Sequence, residues 1–238
     1  MDIEYEKTYH RIEKSNWWFK SRRHLILHYM KEFRPSNILD VGCSSGTLMK
    51  SLKSNGFSGV YGVDISKSAV DKCRKQKLQA FLADAKKTDF KNYFFDAIIA
   101  ADVLEHTSSD TGTLREWNRI LKPGGKIVLF VPAFMHLWSS HDNVNHHRKR
   151  YRLPELFGLA KKNGFIVKKA TYWNFALYFP RVPITLLNRL IGTSAKFDRA
   201  HPVVNTLLYW WLLFENALIK IGVRFPFGIS CFVILEKK

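Results

Sequence analysis

Ile38-Leu39-Asp40-Val41-Gly42-Cys43-Ser44-Ser45-Gly46-Thr47-Leu48 decides how the rest of the chain is read. An apolar run rich in β-branched residues ends at an acid, crosses a glycine-bearing turn and passes into an apolar helical spacing. A strand feeding a helix through such a turn presents backbone N–H groups and the positive end of a helix to a ligand. Gly42 and Gly46 lack a Cβ, so the backbone can come close to what is bound. The spacing excludes two common phosphate binders. Gly42-x-x-x-Gly46 is neither Gly-x-Gly-x-x-Gly nor Gly-x-x-x-x-Gly-Lys-Ser/Thr.

Outward from this stretch, strand and helix alternate. Val60 to Asp64 reads as a second strand ending in an acid, and Ser66 caps a helix through Cys73. Ala80 to Ala83 precedes Asp84, and Phe95 to Ala101 precedes Asp102 and Val103-Leu104-Glu105-His106-Thr107. A helix from Thr113 to Leu121 stops at Lys122-Pro123-Gly124-Gly125, and Lys126 to Val131 is a fifth strand. This alternation predicts an α/β fold with a doubly wound parallel sheet covered on both faces. Ligands of such sheets sit beyond the carboxyl ends of the strands. Asp40, Asp64, Asp84 and Asp102 all fall there. An acid after the second strand can accept both hydroxyls of a ribose, and one after the third can accept the amino group of adenine. Asp40 can approach an ammonium group. The ligand sketched is adenosine carrying an amino acid.

Upstream, Leu25, Ile26, Tyr29, Met30 and Phe33 predict a helix over 9–33, ended by Pro35. Trp17-Trp18-Phe19, ahead of Arg22 and Arg23, suits either core packing or a lid whose arginine meets a carboxylate. Of the 238 residues 46% are hydrophobic, which is enough for one α/β domain with an insertion. Lys+Arg 38 against Asp+Glu 20 gives +18, a charge that favours nucleic acid, an anionic membrane surface or phosphate-bearing substrates. Cys43, Cys73 and Cys231 form no Cys-x-x-Cys pair, which argues against a disulfide framework or structural zinc. The opening Met1-Asp2-Ile3-Glu4 lacks the apolar core of a signal peptide, so a cytoplasmic place is expected, peripheral at the inner face of the membrane.

Leu39 to Gly46, Val63-Asp64, Asp84-Ala85, Phe95-Asp96 through His106, and Leu121-Lys122-Pro123-Gly124-Gly125 resemble, in this order, the motifs of class I S-adenosylmethionine-dependent methyltransferases. The likeness runs from the N-terminal helix to Pro132. It implies a seven-stranded Rossmann-like sheet, closed by Gly228 to Leu235 as an antiparallel strand, with S-adenosyl-L-methionine as cofactor. It further implies Asp40, Gly42, Cys43 and Gly46 at the methionine part, Asp64 and Ile65 at the ribose, and Asp84 and Ala85 at the adenine. Ala101 and Asp102 would line the sulfonium side, and Arg22 would meet the methionine carboxylate. Ser44 departs from the pattern, because similar enzymes carry glycine there. A serine tolerates positive φ less well.

The acceptor region follows the fifth strand. His136, His141, His146 and His147 have no adjacent cysteines or paired carboxylates, so no metal site is expected. His141 is the expected general base for a hydroxyl acceptor, with Asp142 orienting it; the alternative is that both shape the loop. Arg148, Lys149, Arg150 and Arg152 read as a phosphate clamp or a solvated basic turn. A helix over Pro154 to Asn163 and a sixth strand over Gly164 to Val167 come next.

A single domain is expected: an N-terminal helical lid over 1–35, a cofactor core over 36–172, a hydrophobic helical insertion over 173–227 and the final strand over 228–238. Val203 to Phe214 is the most apolar stretch, interrupted by Glu215 and Asn216 and short of the roughly 20 residues a bilayer needs. Arg181, Arg189, Lys196, Arg199, Lys220 and Arg224 surround it. An interfacial helix at an anionic membrane or an acyl-binding lid fits, as does a buried hairpin or a dimer interface. The expected reaction is O-methylation of a small-molecule or lipid-linked acceptor, amphipathic and anionic, such as a lipid-linked saccharide or a prenylated precursor. RNA methylation is the second reading, weakened by the lack of an RNA-binding module. An inactive binding module, suggested by Ser44, is the third.

Overall fold

The computed structural model describes residues 12–191 and 201–238. Its strands are β1 (Asn37–Val41), β2 (Gly59–Asp64), β3 (Gln79–Leu82), β4 (Phe95–Ala101), β5 (Leu121–Pro132), β6 (Phe165–Trp173) and β7 (Ser230–Lys237). The helices are α1 (Trp17–Phe33), α2 (Thr47–Ser54), α3 (Lys67–Lys75), α4 (Asp110–Ile120), α5 (Ser140–Val144), α6 (Leu153–Lys162), α7 (Tyr178–Ile191) and α8 (Pro202–Lys220). All seven strands form one sheet in the order β3-β2-β1-β4-β5-β7-β6. Strands β1 to β5 are parallel, and β7 runs antiparallel to both β5 and β6, as the expected closing strand requires.

The sheet is buried on both faces, which is why its central strands read as nearly continuous apolar runs. Side chains alternate between two cores. Ile127, Leu129 and Val131 of β5 pack with Leu114, Trp117 and Ile120 of α4 on one face. Val128 and Phe130 join Leu25, Ile26 and Met30 of α1 and Leu212 and Ile219 of α8 on the other.

Several boundaries differ from expectation. Helix α1 does not run unbroken from Tyr9. Asn16 is extended (φ −68°, ψ 138°), and its side chain accepts from the Trp18 N–H, so a new helix starts at Trp17. Asparagine competes with the helix for its own backbone and so favours this capping position. Residues 9–11 lie outside the described residues. Helix α4 starts at Asp110, where the Ser109 side chain accepts from the Gly112 N–H. Strand β6 continues past Val167 to Trp173 as an edge strand, with a register shift between Val167 and Lys169. Lysines and a bulge on an edge strand protect it from pairing with other chains, and they also hide its length from the alternation rule.

The polar pair in the apolar stretch does not interrupt a helix. Glu215 and Asn216 sit inside α8 and point inward. Asn216 accepts from the Trp173 indole N–H at 2.9 Å and donates to the Ser21 carbonyl at 2.9 Å. Glu215 accepts from the backbone N–H groups of Asn174 and Phe175. The opposite side of the insertion is apolar and exposed: Leu187, Leu190, Val203, Leu207, Trp210 and Phe214 are each more than half accessible. Lys196 and Arg199, and the side chain of Arg189, lie outside the described residues. Among the described residues no helix is long and apolar enough to cross a membrane.

Burial pushes the Glu215 carboxyl up to about 7 against the pull of its backbone donors. A carboxyl raised in the folded state contributes stability in its protonated form, and that contribution is lost as pH rises through its folded value. The melting temperature is therefore expected to fall between about pH 5 and pH 8 with a component that Glu215→Gln lacks. Differential scanning fluorimetry of both proteins across that range checks it; parallel curves would refute the assignment.

Candidate active site

A cavity of about 1080 Å³ opens at the carboxyl edge of β1, β2 and β4. The turn after β1 forms its floor. The N–H groups of Gly42 and Cys43 both donate to the Val63 carbonyl, at 2.8 and 3.0 Å, which locks this turn to the end of β2. Gly42 has φ +70°, and a Cβ there would lie 2.7 Å from Val103 Cγ2. Gly46, at φ +77°, faces Leu78 and Cys73, where a Cβ would collide with Leu78 Cδ1. Its glycine thus serves close packing behind the turn, and α2 starts from it.

Of the expected cofactor residues, Gly42, Asp64, Ile65, Asp84, Ala85, Ala101 and Asp102 line the cavity. Arg22, Asp40, Cys43 and Gly46 lie behind that lining, with Arg22, Asp40 and Cys43 buried. Asp64 accepts from the Ser44 N–H at 2.9 Å and the Ser66 N–H at 2.8 Å, clasping the first turn to the second. Ser44 does take the left-handed conformation usual for glycine, at φ 49°, a strain of roughly 1–2 kcal/mol for a residue with a Cβ. Asp102 is also left-handed, at φ 58°, and pairs with Arg22.

Behind the floor sits an acid that sequence reasoning missed. Glu13 is buried and accepts from Ser45 Oγ at 3.1 Å, and burial pushes its carboxyl up. Burial pushes Asp40 well up too, and the charge of Glu13 adds to this. Asp40 Oδ2 has no hydrogen-bond partner. Two buried carboxyls with an orphaned oxygen make this end of the site receptive to a cation. A lone glutamate in an N-terminal segment carries no pattern that could have announced it.

The roof is α1 and α7. Trp17 and Trp18 line the cavity, and Trp18 meets Trp173 edge-on at 4.9 Å, so the segment is lid and core together. Leu177, Pro180, Arg181 and Ile184 complete that side.

The histidine loop is wired differently from expectation. His141 lines the cavity, and burial holds its imidazole down to about 4, so it is neutral near pH 7. Asp142 does not orient it. Neighbours in a helix point apart, and His141 and Asp142 are adjacent in α5. The Asp142 carboxylate, fully buried, instead holds His147 Nδ1 at 2.8 Å and the Arg150 guanidinium in a fork, at 2.8 and 2.9 Å. Arg150 also donates to the Ala133 carbonyl, so it braces the loop and its charge is already matched. Lys149 pairs with Asp110, and the Arg152 N–H is taken by the Glu155 carboxylate at the start of α6. Arg148, Arg150 and Arg181 line the cavity from this wall, and of these Arg150 is the one held in a fork by Asp142.

Seven strands in this order, with acids at the carboxyl edge and a glycine turn after the first strand, define the class I methyltransferase fold. Residues 39–129 match the family described as methyltransferase domain. Residues 39–129 thus carry a methyltransferase domain on a class I methyltransferase fold, and S-adenosylmethionine is the cofactor that such a domain uses. It is 29% identical, over 63% of its length and 22% of the relative's, to tRNA (carboxymethyluridine(34)-5-O)-methyltransferase ALKBH8 of Macaca fascicularis. It is 25% identical, over 49% of each chain, to the mitochondrial ubiquinone biosynthesis O-methyltransferase of Dictyostelium discoideum. Among solved structures it matches a chain in the complex of the Haloferax volcanii Trm112 methyltransferase activator with a methyltransferase. That likeness has TM-score 0.64 and 17% identity, covering 98% of this chain and 94% of that one. The chain spans about a fifth of the length of the tRNA methyltransferase it matches. The cofactor fits the residues present: its ammonium answers the buried Asp40, whose Oδ2 has no hydrogen-bond partner, and Glu13 beside it, and its ribose would meet the Asp64 carboxylate on the cavity wall.

Because Arg150 is buried, removing its partner strands a charge. Asp142→Ala is expected to lose about 3–5 kcal/mol of stability, and Asp142→Ala combined with Arg150→Met to lose less. Urea denaturation of the three proteins checks this; a double variant no more stable than the single would refute the pairing.

Proposed function

We propose that the chain O-methylates an anionic, amphipathic acceptor, with the apolar part of that acceptor lying along the insertion. When bound, S-adenosylmethionine supplies a methyl group carried on a positively charged sulfonium. Asp64 holds the ribose, with Ile65 over it; Asp84 and Ala85 take the adenine; Gly42 and Cys43 with Asp40 and Arg22 take the methionine end. Ala101 and Asp102 border the reacting side. His141, a neutral imidazole on the cavity wall, is placed to accept a proton from an acceptor hydroxyl.

One observation carries the acceptor reading. The cavity wall formed by Leu177, Pro180 and Ile184 belongs to the same helical insertion whose outer face exposes Leu187, Leu190 and Trp210. Arg148 and Arg181 line the same cavity as that apolar wall and the acids, and they suit a phosphate or carboxylate of the acceptor. An exposed apolar surface of this kind marks an interaction site, and a membrane surface or a prenyl chain would cover it. The likeness to a ubiquinone biosynthesis O-methyltransferase agrees with a prenylated acceptor. A tRNA acceptor is the second reading, favoured by the tRNA methyltransferase relatives and by the charge of +18.

Calorimetry should show Asp64→Ala binding S-adenosylhomocysteine tenfold or more weakly than wild type, since a half-buried carboxylate acceptor is lost. Unchanged affinity would sink the ribose assignment. Label from the methyl-labelled cofactor is expected in a lipid extract and not in total tRNA. Leu187→Ser with Trp210→Ser should reduce that transfer and also reduce flotation with anionic liposomes. Label confined to tRNA would replace the lipid reading with the RNA one.

A further inference from the structure

Glu105 stands at the end of the short turn after β4, 1% exposed, with neither carboxylate oxygen hydrogen-bonded. An unpaired buried carboxyl is costly, and most proteins remove it or give it a partner. Among the described residues no such partner is present, but metal-ligating groups are. A nitrogen of His106, a nitrogen of His147 and an oxygen of Glu105 lie within 4.8 Å of one another. Both imidazoles border the cavity. Each is also held from behind. Asp142 fixes His147 through Nδ1, and Arg150 fixes Asp142 in turn. A backbone hydrogen bond to Asn145 holds His106. The Arg148 N–H donates to the Glu105 carbonyl at 2.9 Å, which clips the histidine loop onto the Glu105 turn.

We propose that Glu105, His106 and His147 bind one divalent cation of the transition series. Two imidazoles and a carboxylate suit zinc, manganese, iron or cobalt better than magnesium, which prefers oxygen ligands throughout. Three protein ligands would leave a coordination position open, and both imidazoles border the cavity, which suits a catalytic rather than a structural metal. The carboxylate behind His147 is the outer-shell partner that metal-bound imidazoles usually have. Drawing the three atoms onto an ion at about 2.1 Å would bring them to roughly 3.4 Å apart, a contraction within side-chain reach. The sequence argued against a metal because neither cysteines nor paired carboxylates accompany the loop histidines. The fold brings in Glu105 from a turn roughly 40 residues away, which linear spacing cannot reveal. Resting on the acceptor reading above, the cation would hold and polarise the hydroxyl to be methylated.

The test titrates chelator-treated full chain with zinc chloride, manganese chloride and magnesium chloride by calorimetry. Zinc or manganese is expected to bind at one ion per chain, more tightly than magnesium. Glu105→Gln and His147→Gln should each lower that affinity tenfold or more. Co(II) added to wild type should give ligand-field bands in the visible, which His106→Gln diminishes; this decides the matter if Glu105→Gln does not fold. Absence of one-to-one binding in wild type, or wild-type affinity in the variants, would overturn the site. S-adenosylhomocysteine binding on the same samples separates the failures. Cofactor binding without cation binding rejects the metal alone, whereas loss of both rejects the reading of the cavity itself.

Discussion

The antiparallel course of β7 is the constraint on which the arrangement of this molecule rests. Because β7 runs against both β5 and β6, strand β6 shares the direction of the parallel half and also ends at the carboxyl edge of the sheet. Everything between β6 and β7 must therefore leave from that edge and return to it. The insertion with α7 and α8 is held over the cofactor cavity by topology before any contact is considered. Had β7 been parallel, its approach would have started from the opposite edge and the same apolar helices would have capped the wrong end of the sheet.

Contacts then fix the insertion in place. Asn216 of α8 bridges Trp173 at the end of β6 and Ser21 of α1, and Glu215 gathers the amides that open the β6–α7 connection. Asn205 accepts from the Trp17 N–H at 2.9 Å, tying α8 to the start of α1. Lid and insertion are thus one cover, closed by buried polar bonds in an otherwise apolar setting. In such surroundings a satisfied hydrogen bond specifies one packing, since any slip would leave a buried donor or acceptor unpaired.

What was legible in the sequence was what rests on local patterning. The alternation of strand and helix, the acids at strand ends and the glycine turn follow rules of spacing a few residues long, and so Asp64, Asp84 and Asp102 could be placed at one edge. What was illegible depends on chain segments meeting from afar. Glu13 under the first turn, Glu105 against His147, and Asp142 turned toward Arg150 rather than His141 are such meetings. Adjacent numbering suggested His141 with Asp142, but helix geometry separates neighbours and unites residues that fold back. The length of β6 was obscured for another reason: Lys168 and Lys169 protect an edge, and edge protection looks like the end of a strand.

The two ends of the cavity differ in the kind of residue that builds them, and this bears on specificity. At the floor, Ser44 and Asp102 hold left-handed backbone conformations that are costly unless the surroundings enforce them, and Asp64 enforces the first by accepting its N–H. A site held by backbone strain and short turns tolerates little change in its ligand. At the roof, the contacts are apolar side chains of α7, beside Arg181, whose guanidinium burial makes easier to deprotonate, and which donates to Ser139. Apolar packing discriminates weakly among shapes, at about 1–3 kcal/mol per methylene, whereas a charge that must be matched discriminates strongly. On the acceptor reading proposed above, selection would fall chiefly on Arg148 and Arg181.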